Sequence, residues 1–140
     1  MKTTFCVLSA FAVLVVMSVP AAAHHSFAAE FDSTKPVTVN GAVNKIDWVN
    51  PHSWIYVDVK GPDGKIVTWR FEMCPPNALL RMGWRKDSIP PGTPVKIEGY
   101  RAKSGEAVAN AKTVTLPDGR ELFSGGSAPD GLNQAAPVKP

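Results

Sequence analysis

Histidine is the residue type in this sequence that is best suited to chemistry, and the chain has only three of them. His24 and His25 are adjacent and follow three consecutive alanines, whereas His52 lies in the segment Asn-Pro-His-Ser-Trp. Neutral imidazole is the commonest metal ligand among side chains and titrates near neutral pH. The histidines therefore mark the two segments in which a binding site is expected first.

The start of the chain predicts export, which would change the chemistry of His24. Lys2 precedes an apolar run over residues 5–17 that is too short to span a membrane as a mature helix. Ser-Val-Pro breaks this run at 18–20, and the alanines at 21–23 are the small residues that signal peptidase prefers. We therefore predict a cleaved signal peptide over residues 1–23 and a periplasmic or secreted bacterial protein that keeps no membrane anchor.

Cleavage at the alanines would create a chelating amino terminus. A cut after Ala23 frees an amine beside the imidazole of His24, with His25 or His52 as a further nitrogen ligand. A cut after Ala21 places His24 third, so that the amine, two backbone amides and the imidazole form a square-planar set. Such tetragonal nitrogen sites suit Cu(II) or Ni(II), and copper is the first candidate cofactor. In the alternative interpretation, the doublet is a solvated start to an arm and His52 bonds its own turn.

A second set of candidate residues comprises Trp54, Tyr56 and Arg70. Trp54 and Tyr56 alternate with branched residues and are expected to point outward from one strand, with Arg70 on the outward face of the next. Aromatic rings and a guanidinium on one face could grip a planar or sugar-like ligand, or a protein partner in the cell envelope. The alternative is that they pack beneath the amino-terminal arm, against Phe27 and Phe31.

The sequence offers little for catalysis or for binding nucleic acid. Its serines and acids are scattered, and it has no Gly-rich phosphate loop and no Cys-x-x-Cys pair. Export would remove Cys6 and leave Cys74 as a single thiol, so no intramolecular disulfide is expected. The formal net charge is +3, and acids and bases alternate without forming a basic patch. We therefore predict a protein that is not an enzyme and has no nucleic-acid partner.

Alternation of apolar and polar residues predicts a chain made mainly of strands. The first strand covers residues 37–49, where a slip in phase near Gly41 indicates a bulge or bend. A straight strand of this length spans about 40 Å, which would place His52 far from the arm. The second and third strands cover residues 53–60 and 65–73, and Glu72 is expected to face outward with Arg70. A short helix over residues 77–82 ends at Gly83, and strands over 94–101 and 107–116 follow, with a short return at 120–123.

This order of elements is that of an OB-fold, a five-stranded and partly open Greek-key barrel. We therefore predict an all-β domain over residues 37–123, a small five-stranded OB-like barrel with one short helix between strands 3 and 4. An antiparallel sandwich is the alternative, although it has no obvious use for the helix. The signal peptide and an amino-terminal arm over residues 24–36 precede the domain. A flexible tail over residues 124–140 follows it, because Gly, Ser, Ala and Pro replace any periodicity there.

Several short strings in this order resemble one family. They are Ala-His-His-Ser-Phe at 23–27, Asn-Pro-His-Ser-Trp at 50–54, Leu-Arg-Met-Gly-Trp at 80–84, Pro-Gly-Thr-Pro-Val at 91–95 and Asp-Gly-Arg-Glu-Leu-Phe at 118–123. Together they resemble an uncharacterised family of small exported bacterial proteins, the domain of unknown function family 6152, over residues 24–123. The resemblance implies an exported bacterial domain and brings no activity or functional residues.

These observations predict an exported small binding protein that holds copper or another transition metal at its processed amino-terminal histidines. The alternative function is a non-catalytic interaction or ligand-binding module of the envelope, which would use the outward aromatic face of the second strand.

Overall fold

The computed structural model describes residues 27–126, so the predicted signal peptide and His24 and His25 lie outside the described residues. This part of the chain is mostly β. Its elements in order are α1 (Phe27–Glu30), β1 (Phe31–Asp47), β2 (Trp54–Lys60), β3 (Ile66–Glu72), α2 (Pro76–Arg81), β4 (Pro94–Ala102), β5 (Val108–Thr115) and β6 (Glu121–Phe123). None of the helices described between residues 27 and 126 has the length and apolar character needed to cross a membrane.

The six strands form one sheet in the order β3-β2-β1-β4-β5-β6, and neighbours in this order are antiparallel. In addition, the end of β3 pairs in parallel with the start of β5, so that Phe71 lies opposite Ala109. The pairings β1-β2-β3-β5-β4-β1 therefore run in a closed circuit, and β6 lies outside it along the second half of β5. This circuit positions residues from β3 and β5 side by side at the candidate site.

Strand β1 begins earlier than the sequence predicts. It starts at Phe31, six residues before the expected start, because the arm pairs with β4: Phe31 lies opposite Ala102 and Pro36 opposite Tyr100. The register is irregular between these two pairs, and Asp32 accepts hydrogen bonds from the backbone N–H and the hydroxyl of Thr34. Residues that form such local hydrogen bonds are typical of turns, so the sequence predicts an arm here and not a strand. The predicted bulge is confirmed, since the register with β2 shifts at Asn44, three residues beyond Gly41.

The main core lies between the inward faces of the strands and α2. Its completely buried side chains include Ile55 and Val57 of β2 and Ile97 of β4, all of which the alternating pattern predicts to face inward. Trp84 is the largest of them, and its indole Nε1 donates a hydrogen bond to the carbonyl of Phe123 at 2.8 Å. The predicted helix is confirmed within a residue, and Gly83 ends it with a φ of 94°.

A separate small cluster fixes the arm to β4. Phe27 and Phe31 are buried with Ala102, and the ring of Phe27 lies 5.6 Å from the rings of both Phe31 and Tyr100. Phe27 begins the single helical turn α1, and Phe31 follows it as the first residue of β1. The arm residues from 27 onward are therefore anchored on the sheet by apolar packing.

The ordered chain continues beyond β6. Ser124, which the sequence assigns to a flexible tail, is completely buried. Its backbone nitrogen donates to the carbonyl of Lys112 at 3.0 Å, and its carbonyl accepts from the nitrogen of Cys74 at 2.9 Å. The expected start of the tail at residue 124 is thus too early, because composition does not reveal these backbone contacts with β5 and the end of β3.

Candidate functional site

His52 lies at a corner between two strands. β1 ends at Asp47 and β2 begins at Trp54, and a cis peptide bond joins Asn50 to Pro51 immediately before the histidine. The side chain of His52 keeps 22% of its surface exposed, and its Nδ1 lies 3.4 Å from Oε2 of Glu72 at the end of β3. The corner therefore directs one imidazole nitrogen at a carboxylate while part of the ring stays accessible.

Glu72 is buried, contrary to the prediction that it faces solvent. Its residue is only 3% exposed, and Nδ2 of the fully buried Asn110 donates to Oε1 of Glu72 at 3.1 Å. The two residues lie opposite each other where β3 pairs in parallel with β5. The alternating pattern of β3 could not reveal this long-range pairing. The only local signal was an asparagine inside the apolar segment Val-Ala-Asn-Ala.

This arrangement suits His52 as a ligand through its outer nitrogen. A carboxylate beside Nδ1 favours the tautomer that carries its proton there, which leaves a lone pair on Nε2. Histidines that bind metals commonly have such a carboxylate or carbonyl behind the ring. Across residues 27–126, no cluster of three or more His, Cys, Asp or Glu side chains is arranged to hold a metal ion. The predicted ligands His24 and His25 fall outside that range.

Cys74 follows two residues after Glu72 and is half-buried. Burial raises the pKa of the Cys74 thiol, the charge of Glu72 raises it further, and the charge of Arg81 acts in the opposite direction. The thiol donates a hydrogen bond to the carbonyl of Gly125. These surroundings favour the neutral thiol of Cys74, which contacts the segment after β6.

Two residues of the second predicted set, Trp54 and Arg70, line one cavity of about 360 Å³. Tyr56 is not among its lining residues, although it lies opposite Arg70 between β2 and β3; Nζ of Lys45 lies 4.4 Å from its ring centroid. The structure therefore places Trp54 and Arg70 in the lining of one cavity, and Tyr56 lies beside Arg70 on the neighbouring strand but outside that lining.

The arm forms one wall of the same cavity, through Ala29, Glu30 and Phe31. Trp54, two residues after His52, lines it as well. The sequence argument assumed a straight first strand, whereas β1 pairs with β4 over its first part and with β2 over its second, with a bulge beyond Gly41. The start of β1 and the start of β2 therefore line one cavity.

Comparison with known proteins gives one family. The model of the Family of unknown function (DUF6152) matches residues 12–111, a range that includes all three histidines as well as Glu72 and Asn110. No curated protein and no solved structure matches the chain. With its family model matched over most of its length, the chain belongs to the DUF6152 family.

Proposed function

We propose that this chain is a small exported protein that binds one transition-metal ion, copper first, and does no chemistry on it. The ligands are the freed amino terminus with His24 and His25, and Nε2 of His52. The observation that carries the proposal is the pairing of the His52 ring with the buried carboxylate of Glu72 at 3.4 Å. A carboxylate in that position fixes the ring and raises the basicity of the nitrogen that faces the metal.

The position of the arm supports a joint site. Phe27, two residues after His25, is anchored on β4, and the residues that follow it share a cavity wall with Trp54. An extended chain reaches roughly 3.3–3.6 Å per residue, so the three steps along the chain from Phe27 back to His24 give His24 about 10 Å of reach. His24 could therefore lie within about 10 Å of the anchored ring of Phe27.

The proposal includes the architecture of an OB-like barrel. Two features support it: the strand pairings run in a closed circuit of five strands, and the short α2 lies between the third and fourth strands. In such barrels the outer face of the second and third strands is the usual ligand face. The His52 corner lies at the start of that face.

The decisive test begins with the exported protein. Mass spectrometry of the mature form purified from the periplasmic fraction identifies its first residue, and Cu(II) is then titrated into the same material by calorimetry. We expect the chain to begin within the alanines or at His24 and to take up one equivalent of copper. His52→Ala is expected to weaken copper binding at least tenfold, as losses of a ligand or of its supporting group commonly do.

A matched control separates the freed amine from the histidines. A chain with Gly-Ser-Gly-Ser added before His24 keeps all three imidazoles, moves the amine away from them and leaves no histidine at the third position. We expect this chain to bind copper less tightly than the mature form. A mature protein that begins well beyond His25, or copper uptake unaffected by His24→Ala with His25→Ala, would contradict the proposal.

A further inference from the structure

The cavity beside Trp54 has the composition of a site for a small organic ligand. Its volume of about 360 Å³ lies at the lower end of the range of ligand pockets, about 300–1,000 Å³. Its apolar lining comes from Phe31, Ala102 and Val108 together with the indole of Trp54. Among residues 27–126, the Trp54 indole makes no hydrogen bond and no ring contact, and the residue lines the cavity.

The charged groups that line the cavity define what the ligand must carry. Two cations, Arg70 and Lys103, and two carboxylates, Glu30 and Glu106, are present. Lys103 donates its Nζ hydrogen bond to the carbonyl of Ala28 at 2.6 Å and so holds the arm against the cavity. Arg70 has one side-chain hydrogen bond within the described part of the chain, from Nη2 to Oε2 of Glu106 at 3.2 Å. The carboxylate of Glu106 therefore already accepts from one N–H group of the Arg70 guanidinium.

The Arg70–Glu106 pair is open to exchange. The side chains are 49% and 66% exposed, and exposed ion pairs contribute little to stability. A single contact uses one of the five N–H donors of the guanidinium, whose planar fork is suited to gripping a carboxylate with two parallel hydrogen bonds. A ligand carboxylate can therefore displace Glu106 and gain the second hydrogen bond that Glu106 does not make.

We propose that this cavity binds a small carboxylate with an aromatic or apolar body, which lies against Trp54 while its carboxylate takes the place of Glu106 on Arg70. The site does not depend on the metal proposal, because the residues that carry it, Trp54, Arg70 and Glu106, are not among the proposed metal ligands. Entry requires no movement of the sheet, since Glu106 is on the loop between β4 and β5.

Benzoate is the probe, and benzamide, which has the same shape without the charge, is its matched control. Both are titrated into the mature full chain by calorimetry at low salt. We expect benzoate to bind at least about tenfold more tightly than benzamide, as charge-assisted pairs are roughly twice as strong as neutral ones. Arg70→Met should abolish this preference, and Trp54→Ala should weaken both ligands. Arg120→Met removes a more exposed arginine that is paired with Asp118 and does not line the cavity, and it should change nothing.

Glu106→Gln provides the discriminating variant, because loss of folding cannot mimic its effect. Removal of the competing carboxylate should tighten benzoate binding by about threefold or more. Circular dichroism of Arg70→Met establishes that its loss of preference is not a loss of structure. Equal affinity for benzoate and benzamide, weaker benzoate binding in Glu106→Gln, or an unchanged preference in Arg70→Met would overturn the proposal. Benzoate binding that persists in His52→Ala while copper binding falls would separate this site from the metal site.

Discussion

Cys74 carries the one thiol within residues 27–126, and its surroundings disfavour the thiolate. Burial and the charge of Glu72 hold the pKa of Cys74 above its ordinary value, with a smaller opposing effect of Arg81. The thiol of the unfolded chain ionises first as pH rises, so the contribution of Cys74 to stability is complete below about pH 9 and is lost above it.

We therefore predict that Cys74→Ala reduces the loss of stability in alkali. The free energy of unfolding in urea, measured at intervals from pH 7 to pH 10.5, should fall more steeply in the original chain than in the variant, at about pH 9 and above. Lysines and tyrosines titrate equally in both proteins, so the difference between the two curves isolates the thiol. Curves that stay parallel throughout would show that the folded protein does not disfavour this thiolate.

The candidate site could be predicted from the sequence only in part. His52 stood out because it is isolated beside a proline, and the outward positions of Trp54 and Arg70 followed from the period of two. The role of Glu72 did not, because its burial results from a parallel pairing between β3 and β5 and from the corner that folds over it. A local pattern reports which side of a strand a residue occupies, whereas burial of that side depends on distant segments.

At the scale of strands, the side chain of Asp58 in β2 accepts hydrogen bonds from β1 and from β3, next to the bulge of β1. Its Oδ2 accepts from Nδ2 of Asn44 at 2.9 Å, and its Oδ1 accepts from the hydroxyl of Thr68 at 2.6 Å. Asn44 is the extra residue at which the register between β1 and β2 shifts. These hydrogen bonds, that of Asn44 first, hold the pKa of Asp58 below its ordinary value.

We predict that Asp58→Asn lowers the melting temperature at neutral pH and lessens its decline in acid. A depressed carboxyl pKa contributes stability above the ordinary value of 3.8, and that contribution disappears as pH falls through the folded pKa. Melting is followed by circular dichroism from pH 7 to pH 2.5. Asp87→Asn is the control, because Asp87 is exposed and its side chain makes no hydrogen bond within residues 27–126. Equal acid sensitivity of the original chain and Asp58→Asn would contradict the prediction.

Strands β4 and β5 lie close together at Gly99, where their register shifts. A Cβ placed on Gly99 would overlap the backbone carbonyl of Asn110, which no side-chain rotation can relieve. We predict that Gly99→Ala destabilises the protein by about 1–3 kcal/mol, the usual cost of overpacking. The control Gly61→Ala brings its Cβ to 2.9 Å from the mobile carboxylate of Asp63 and should cost far less. Urea unfolding compares the two, and similar losses would contradict the argument.

Most strands and α2 could be predicted because each carries its own signal: alternation, a turn with glycine, or a proline at the first helical turn. The errors fall where a segment owes its structure to distant partners. Residues 32–36 look like a turn and include a proline, yet they continue a strand that pairs with β4 at Phe31 and again from Pro36 onward. The composition around Ser124 is that of a flexible tail, yet its backbone N–H donates to Lys112 of β5 and its carbonyl accepts from Cys74.

At the scale of the whole molecule, the segment after β5 connects parts that are far apart in sequence. Phe123 accepts the indole hydrogen bond of the buried Trp84, and Ser124 joins Lys112 to Cys74. Leu122 packs on the main core. Removal of this segment would leave the Trp84 N–H buried without its partner, and a buried donor without a partner costs about 1–3 kcal/mol.

We therefore predict that a chain ending at Arg120 is less stable than one ending at Gly126 by about 2–4 kcal/mol, since three or more hydrogen bonds and the burial of Leu122 are lost together. Both proteins begin at the same residue, so only this segment differs, and urea unfolding monitored by tryptophan fluorescence gives the comparison. Trp84→Phe in the longer chain removes the single indole hydrogen bond and should account for only part of the loss. If the two chains unfolded at the same urea concentration, residues 121–126 would contribute nothing to stability, and the stable domain would end with β5.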